Sequence, residues 1–367
     1  MSGDIILVIV VLTALAFDLT NGFHDTANVV ATAISTRALP PKVAISGASL
    51  LNFAGAFISL KVADTVGKGF VDTHAVTTTV VFAGLVGAIA WNIITWYFGL
   101  PSSSSHALIG GLVGSVAAAA GFHAVDGSGL LGDLIVPAIA APIIAFLTAG
   151  ISILAVYRIV GRLRPGPTNR GFRLGQIASS SLLALSHGTN DAQKTMGVIT
   201  LALVAHGNIS ANAFHVPAWV VVASATAISV GTFSGGWRII RTLGTRIVKM
   251  DPAQGFAAQA AGAAVILAAS SVGYPLSTTH VISGGIMGAG AGKRFSAVRW
   301  GVAGNIVAGW VVTLPASAIF GALVYALSSL FGHGAAGPLV ITIALLLALI
   351  AVFARRAQQS TAAPATS

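Results

Sequence analysis

One eleven-residue pattern occurs twice in the chain: Pro101-Ser102-Ser103-Ser104-Ser105-His106-Ala107-Leu108-Ile109-Gly110-Gly111 and Pro275-Leu276-Ser277-Thr278-Thr279-His280-Val281-Ile282-Ser283-Gly284-Gly285. Pro, three hydroxyl side chains, His and a Gly-Gly pair fall in register. Each run lies between strongly apolar stretches. Polar groups in such surroundings need a ligand, a water-filled cavity or other protein groups, because hydrocarbon satisfies none of them. A single Ser run reads as a polar turn between helices. Two in register make the chain a pair of related halves, each with the same polar element.

Composition says what surrounds these runs. Of 367 residues, 55% are hydrophobic and only 8% are charged, against roughly 25% charged in a soluble domain. The mean hydropathy is +0.90. The chain reads as an all-α polytopic membrane protein. It has no cysteine, which excludes disulfides and thiolate metal sites. Its nine acidic residues are all Asp. The formal charge of +10 does not point to nucleic acid. Lys and Arg cluster at helix ends, as cytoplasmic anchors do, and no polar domain interleaves basic with aromatic residues. The N-terminus lacks a positive n-region, so its apolar stretch reads as a first membrane helix rather than a cleaved signal.

Residues 5–36 exceed the roughly 20 residues that a span needs. Polar residues interrupt them at Thr20, Asn21, Gly22, His24, Asp25, Thr26 and Asn28. The pattern predicts a helix broken at Gly22 near mid-membrane. Residues 43–60 predict a second span and 61–74 a polar loop. Residues 75–99 and 103–121 flank the first hydroxyl run, and 131–157 form a long span kinked at Pro137 and Pro142. The second half repeats the plan. Residues 174–205 carry Ser186, His187, Gly188, Thr189, Asn190, Asp191, Gln193 and Lys194 at mid-length. Then follow 215–237, a basic loop at 238–249, 255–273 and 278–291 around the second run, and 298–331 with Pro315. The predicted units are a first repeat (1–157), a cytoplasmic basic linker (158–173), a second repeat (174–331) and an extra C-terminal helix and tail (332–367).

About five membrane-crossing units per half make the second half enter from the opposite side. That is an inverted-topology repeat, in which the substrate site lies at the repeat interface on broken helices. The Gly/Pro-bounded segments around the hydroxyl runs favour re-entrant hairpins over full spans. The basic loops place the N-terminus outside and the linker and C-terminus in the cytoplasm; Lys61 and Lys68 are exceptions.

Asp25 and Asp191 each follow a glycine at the same spacing, in Gly22-Phe23-His24-Asp25 and Gly188-Thr189-Asn190-Asp191. A carboxylate inside a membrane helix costs roughly 2.5–3.5 kcal/mol on insertion scales and implies a functional partner. Carboxylates with the amides of Asn28 and Asn190 suit Na⁺, which would make Asp25 and Asp191 the metal ligands; a carboxylate can equally carry H⁺. Lys194 follows Asp191 as Asn28 follows Asp25, three residues on and on the same helix face. It either neutralises Asp191 or meets an anion. If helices begin at the hydroxyl runs, their free N–H groups and positive dipole ends point at one anion. Ser103, Ser104, Ser105, Ser277, Thr278 and Thr279 add neutral donors that hold an anion without trapping it. His106 and His280 are ligands, backbone-bonded helix residues or proton carriers.

Together these residues resemble the inorganic phosphate transporter family of the PiT type. The stretch 22–32, GFHDTANVVAT, is similar to the family's first signature, and 188–194, GTNDAQK, to its second; PSSSSH and PLSTTH match its paired hairpin motifs. His24 stands where the family more often has Asn. The resemblance covers nearly the whole chain. It implies secondary import of inorganic phosphate coupled to Na⁺ or H⁺ at the plasma membrane, no further cofactor, and a homodimer. Some relatives carry metal-phosphate or sulfate. Two other classes remain at this point. A membrane-embedded hydrolase would use one Ser with His106 or His280, but it requires no duplicated hydroxyl triplet. A channel would not require inverted repeats.

Overall fold

The computed structural model describes residues 2–160, 165–332 and 334–361. Arg162 and Arg164 of the linker and the tail beyond 361 lie outside them. The chain is nearly all helical. In order come α1 (Ser2–Ser35), α2 (Pro41–Gly55), α3 (Lys61–Lys68), α4 (Thr78–Phe98) and α5 (Ser104–Ala120). One turn, α6 (Gly127–Gly129), widens through a π-helical segment (Leu130–Ile135) into α7 (Val136–Val160). The second half has α8 (Pro165–His206), α9 (Ala218–Ser234), α10 (Trp237–Arg241), α11 (Pro252–Val272), α12 (Thr278–Lys293), α13 (Trp300–Ser329) and α14 (Ala336–Thr361).

Among the described residues, five helices are each long and apolar enough to cross a membrane, and a sixth span arises if Ala218–Ser234 and Trp237–Arg246, bent by 60°, count as one. Outward-facing apolar side chains such as Leu12, Ile151 and Val311 fit lipid contact. The molecule is a multi-pass membrane protein. The short helices α2, α3, α5 and α12 fall below the length of a span.

The expected breaks at mid-membrane do not occur. α1 and α8 are continuous over 34 and 42 residues, about 50 and 60 Å. Gly22 and Gly188 have another purpose. A methyl at Gly22 would lie 2.5 Å from the Ile228 carbonyl oxygen, and one at Gly188 2.1 Å from that of Asn52. The glycines let α1 close on α9 and α8 on α2. Residues 165–173, expected in the linker, begin α8, and the expected loop 61–74 contains the amphipathic α3, with Val62, Ala63 and Val66 buried.

Both hydroxyl runs form the tips of helical hairpins with the same local construction. Gly99 ends α4 and Gly273 ends α11, both left-handed at φ 65° and 95°. Pro101 and Pro275 follow two residues on. Ser103 and Ser277 then cap α5 and α12, accepting the N–H of His106 at 3.1 Å and of His280 at 3.3 Å. The first hairpin returns to its starting side. Val71 bridges Val125, and Asp72 N–H donates to the Ala124 carbonyl at 2.9 Å.

The Gly-Gly pairs seat the hairpins. Gly111 meets Gly84 on the hairpin partner α4, while Gly110 meets Leu314 and Ser317 on α13. Gly285 meets Ala258 on α11, while Gly284 meets Pro142 on α7. Each tip helix therefore packs on a long helix of the other half. Two apolar cores result. One holds Phe17 with Val80, Leu108 and Ile199; the other holds Val30 with Leu183, Ile266 and Ile282. Polar residues of α1 and α8 occupy the level between them.

Candidate functional site

Each hairpin tip meets the middle of a long helix at an Asp. Asp25 accepts from the Ser104 hydroxyl at 2.7 Å and from Thr279 at 3.4 Å, and pairs with the neighbouring His24 ring at 2.7 Å. Asp191 accepts from the Thr278 hydroxyl at 3.1 Å and lies 2.8 Å from His187 Nε2. Both carboxylates are buried. Helix phase explains the rest. Three residues after each Asp, Asn28 and Lys194 point the same way and reach the opposite hairpin. Asn28 Nδ2 donates to Thr279 at 2.9 Å and Thr278 at 3.2 Å. Lys194 Nζ donates to Ser105 Oγ at 2.5 Å and the Leu276 carbonyl at 2.7 Å, and pairs with Asp191.

The two halves thus converge on one point. One oxygen each from Asp25 and Asp191 and one ring nitrogen of His187 lie within 4.8 Å of one another. That spacing suits a small cation. The Oδ1 atoms of Asn28 and Asn190 have no hydrogen-bond partner among the described residues. Asn190 turns its nitrogen to Ser270 at 2.8 Å and the Tyr274 carbonyl at 3.2 Å, outside the cluster. The hydroxyls of Ser103 and Ser277 face their own helices as caps, so Ser104, Ser105, Thr278 and Thr279 are the ones that reach the centre. The helices begin at the runs as expected, and the first N–H groups of α5 and α12 have no partner within their own helix.

His24, His187, Asn52 and Thr95 were not among the candidates. His187 stands four residues before Asp191, a spacing that puts both on one helix face, and this was the available signal. The others depend on packing. Asn52 Oδ1 meets His187 Nδ1 at 3.2 Å, and Thr95 meets His24 Nε2 at 3.2 Å. His106 and His280 pair with each other edge to face, ring centroids 4.7 Å apart, and His280 stacks on Trp310. Among the described residues, no hydroxyl of either run bonds their rings.

The phosphate transporter family matches the chain over residues 21–321. A Mycobacterium bovis protein described as "Probable low-affinity inorganic phosphate transporter" is 53% identical over 327 residues, 89% of this chain and 78% of that protein. Relatives of the same description from Rhizobium meliloti and Bacillus subtilis are 49% and 47% identical, over 87% and 88% of this chain and 96% of each relative. A solved structure titled "The sodium-dependent phosphate transporter" has the same fold, with a TM-score of 0.80 at 24% identity, covering 89% of this chain and 99% of its own. The family and these relatives are transporters, which sets the hydrolase reading aside.

Proposed function

The chain belongs to the phosphate transporter family, and on that premise we propose that it imports inorganic phosphate across the cell membrane by symport with Na⁺. The observation that carries this reading is the convergence of Asp25, Asp191 and His187 within 4.8 Å at the two hairpin tips. Asp25 and Asp191 with Lys194 leave one net negative charge in a buried place. Two carboxylates at that separation repel by about 3.5 kcal/mol at an effective dielectric of about 20, and a phosphate anion arriving alone meets the surplus negative charge. A cation removes that barrier. Coupling follows from charge: phosphate binds when the cation has bound.

Na⁺ suits the ligands, which are carboxylate and amide oxygens. Asp25, Asp191, Asn28 and Asn190 hold it in this reading. Ser104, Ser105, Thr278 and Thr279, with the N-terminal N–H groups of α5 and α12, hold the anion through neutral donors, helped by Ser103 and Ser277 as caps. Lys194 pins Asp191 and joins both tips, so a phosphate oxygen displacing Ser105 would meet its ammonium. The reading takes the hairpins as re-entrant and the halves as an inverted repeat, with the N-terminus outside, the linker and C-terminus cytoplasmic, and a homodimer as the family resemblance implies.

Uptake of ³²P-phosphate into proteoliposomes tests it. Uptake should rise with an inward Na⁺ gradient and resist competition by sulfate. Uptake driven by a proton gradient alone would replace Na⁺ by H⁺. Uptake indifferent to both gradients would overturn symport.

A further inference from the structure

The chain that joins α12 to α13 builds a basic pocket at one end of the bundle. Lys249, Lys293, Arg294 and Arg299 line a cavity of about 560 Å³ together with Gln254 and Ser296. Its walls are fixed. Arg299 N–H donates to the Ile247 carbonyl at 3.0 Å, and the buried Val248 and Val298 both pack on Gly290. Gln254 is buried and donates to the Ala289 carbonyl at 3.1 Å. Asp251 caps α11 and accepts from the Tyr157 hydroxyl and from Lys293 Nζ, both at 2.9 Å, so it compensates Lys293. Among the described residues, no ion pair joins Lys249, Arg294 or Arg299 to a carboxylate, and three positive charges stay uncompensated. Anchoring a helix end asks for exposed charges and not for a cavity.

An apolar groove leads to this pocket. It lies between α7 and α13 with α12 as its floor and has a volume of about 590 Å³. Ile139, Ile143, Leu147, Val307 and Val311 line it, and all are exposed. α12 and α7 run parallel, since Gly284 meets Pro142, Gly288 meets Phe146 and Gly292 meets Gly150 and Ile153. α12 contributes His280, Gly284 and Met287 at steps of four and three, and two further steps along that face reach Ala291 and Arg294. On α13 the groove runs from Val307 to Pro315, about 12 Å, and Val307 stands about 12 Å past Arg299. Together these come close to one leaflet with its headgroup layer, roughly 20–22 Å. Phe295 and Trp300 stand beside the pocket as exposed rings stacked with centroids 4.6 Å apart, at the level where interfacial Trp residues sit.

A basic position for a head and an apolar position for a tail, in line, have the charge and shape of an anionic lipid. We propose that the pocket and the groove form one site for an anionic glycerophospholipid of the leaflet where α13 begins. Lys249, Arg294 and Arg299 hold its phosphate, and one acyl chain lies in the groove against α12. The lipid then bridges α7 of the first half to α13 of the second. The site depends neither on the transport reading above nor on which leaflet is cytoplasmic.

The test is native mass spectrometry of the purified full chain, delipidated in detergent and titrated with phosphatidylglycerol or phosphatidylcholine. One phosphatidylglycerol per chain should bind about a hundredfold more tightly than phosphatidylcholine, taking about fivefold for each cation. Arg294→Gln with Arg299→Gln should cut that preference to about fivefold. Arg241→Gln with Arg246→Gln, exposed cations outside the pocket, should leave it unchanged. Val307→Trp, which fills the groove, should weaken both lipids alike by at least tenfold. Equal binding of the two lipids overturns the site; this comparison needs no variant, so it decides the matter even if one fails to fold. An equal loss of preference in the Arg241 and Arg246 variant overturns it in favour of diffuse surface charge. Displacement of bound phosphatidylglycerol by inorganic phosphate overturns it and gives the pocket to the free anion. A Val307→Trp chain that loses a dimer but keeps its lipid overturns it and gives the groove to a second copy.

Discussion

Replacing Asp25 by Asn removes a charge and one of two acceptor oxygens. Ser104 donates to one carboxylate oxygen while Thr279 and His24 meet the other, so the amide keeps one of these sets and keeps the volume that α1 presents to the first hairpin tip. The cost to the cation is worked from the geometry. With the oxygens of Asp25 and Asp191 within 4.8 Å, a cation between them sits about 2.4 Å from each, inside the usual range for oxygen ligands. At an effective dielectric of about 20 each carboxylate attracts it by about 7 kcal/mol. Desolvation takes back several kcal/mol, which leaves about 2–4 kcal/mol per carboxylate. That is roughly a 30- to 700-fold rise in the half-saturating cation concentration. The assay is ³²P-phosphate uptake by proteoliposomes as external Na⁺ is varied at saturating phosphate, with a melting curve to show that the variant is folded. Uptake at the normal rate with an unchanged cation dependence in folded Asp25→Asn would refute the placing of the coupling cation between the two carboxylates.

The double changes Ser104→Ala with Ser105→Ala, and Thr278→Val with Thr279→Val, should each weaken apparent phosphate affinity by about one to several decades, taking about 1.5–3 kcal/mol per hydroxyl bonded to a charged group; unchanged affinity in both would move the anion elsewhere. Gly22→Ala should lower the melting temperature by several degrees, because a methyl 2.5 Å from the Ile228 carbonyl oxygen forces α1 off α9, an overpacking that costs about 1–3 kcal/mol. Gly47→Ala, where a methyl meets nothing within 4 Å, is the control, and an equal drop there would remove the packing argument. A single cysteine at position 168 should be labelled only from the cytoplasmic side; labelling from outside would overturn the proposed topology.

The all-helical membrane class was legible because it follows from bulk hydropathy and from the near absence of charge. The hairpin tips were legible too, since Gly, Pro and a capping hydroxyl at fixed offsets have few other uses. The same letters misled at Gly22 and Gly188. A glycine that breaks a helix and a glycine that admits a neighbouring backbone look alike in one dimension, and only the Gly231 and Asn52 backbones opposite them decide. Duplication drew attention to Asp25 and Asp191. Asn52 and Thr95 enter the site from elements far away in the chain, and nothing local to either marks it.

The departures from duplication have consequences for charge. Asn28 and Lys194 occupy matching positions, three residues after matching aspartates, and each reaches across to the other half's hairpin tip. The contact is similar; the charge is not. With Asn at both places the buried centre would hold two uncompensated carboxylates and would need two cations before it tolerated an anion. With Lys at both it would already be neutral, and phosphate could bind without any cation, which uncouples the cycle. In the proposed symport, one Lys and one Asn leave a single negative charge on this set of residues, which makes one cation the minimum requirement for phosphate entry. Lys194→Gln should accordingly steepen the cation dependence of uptake, and Asn28→Lys should flatten it.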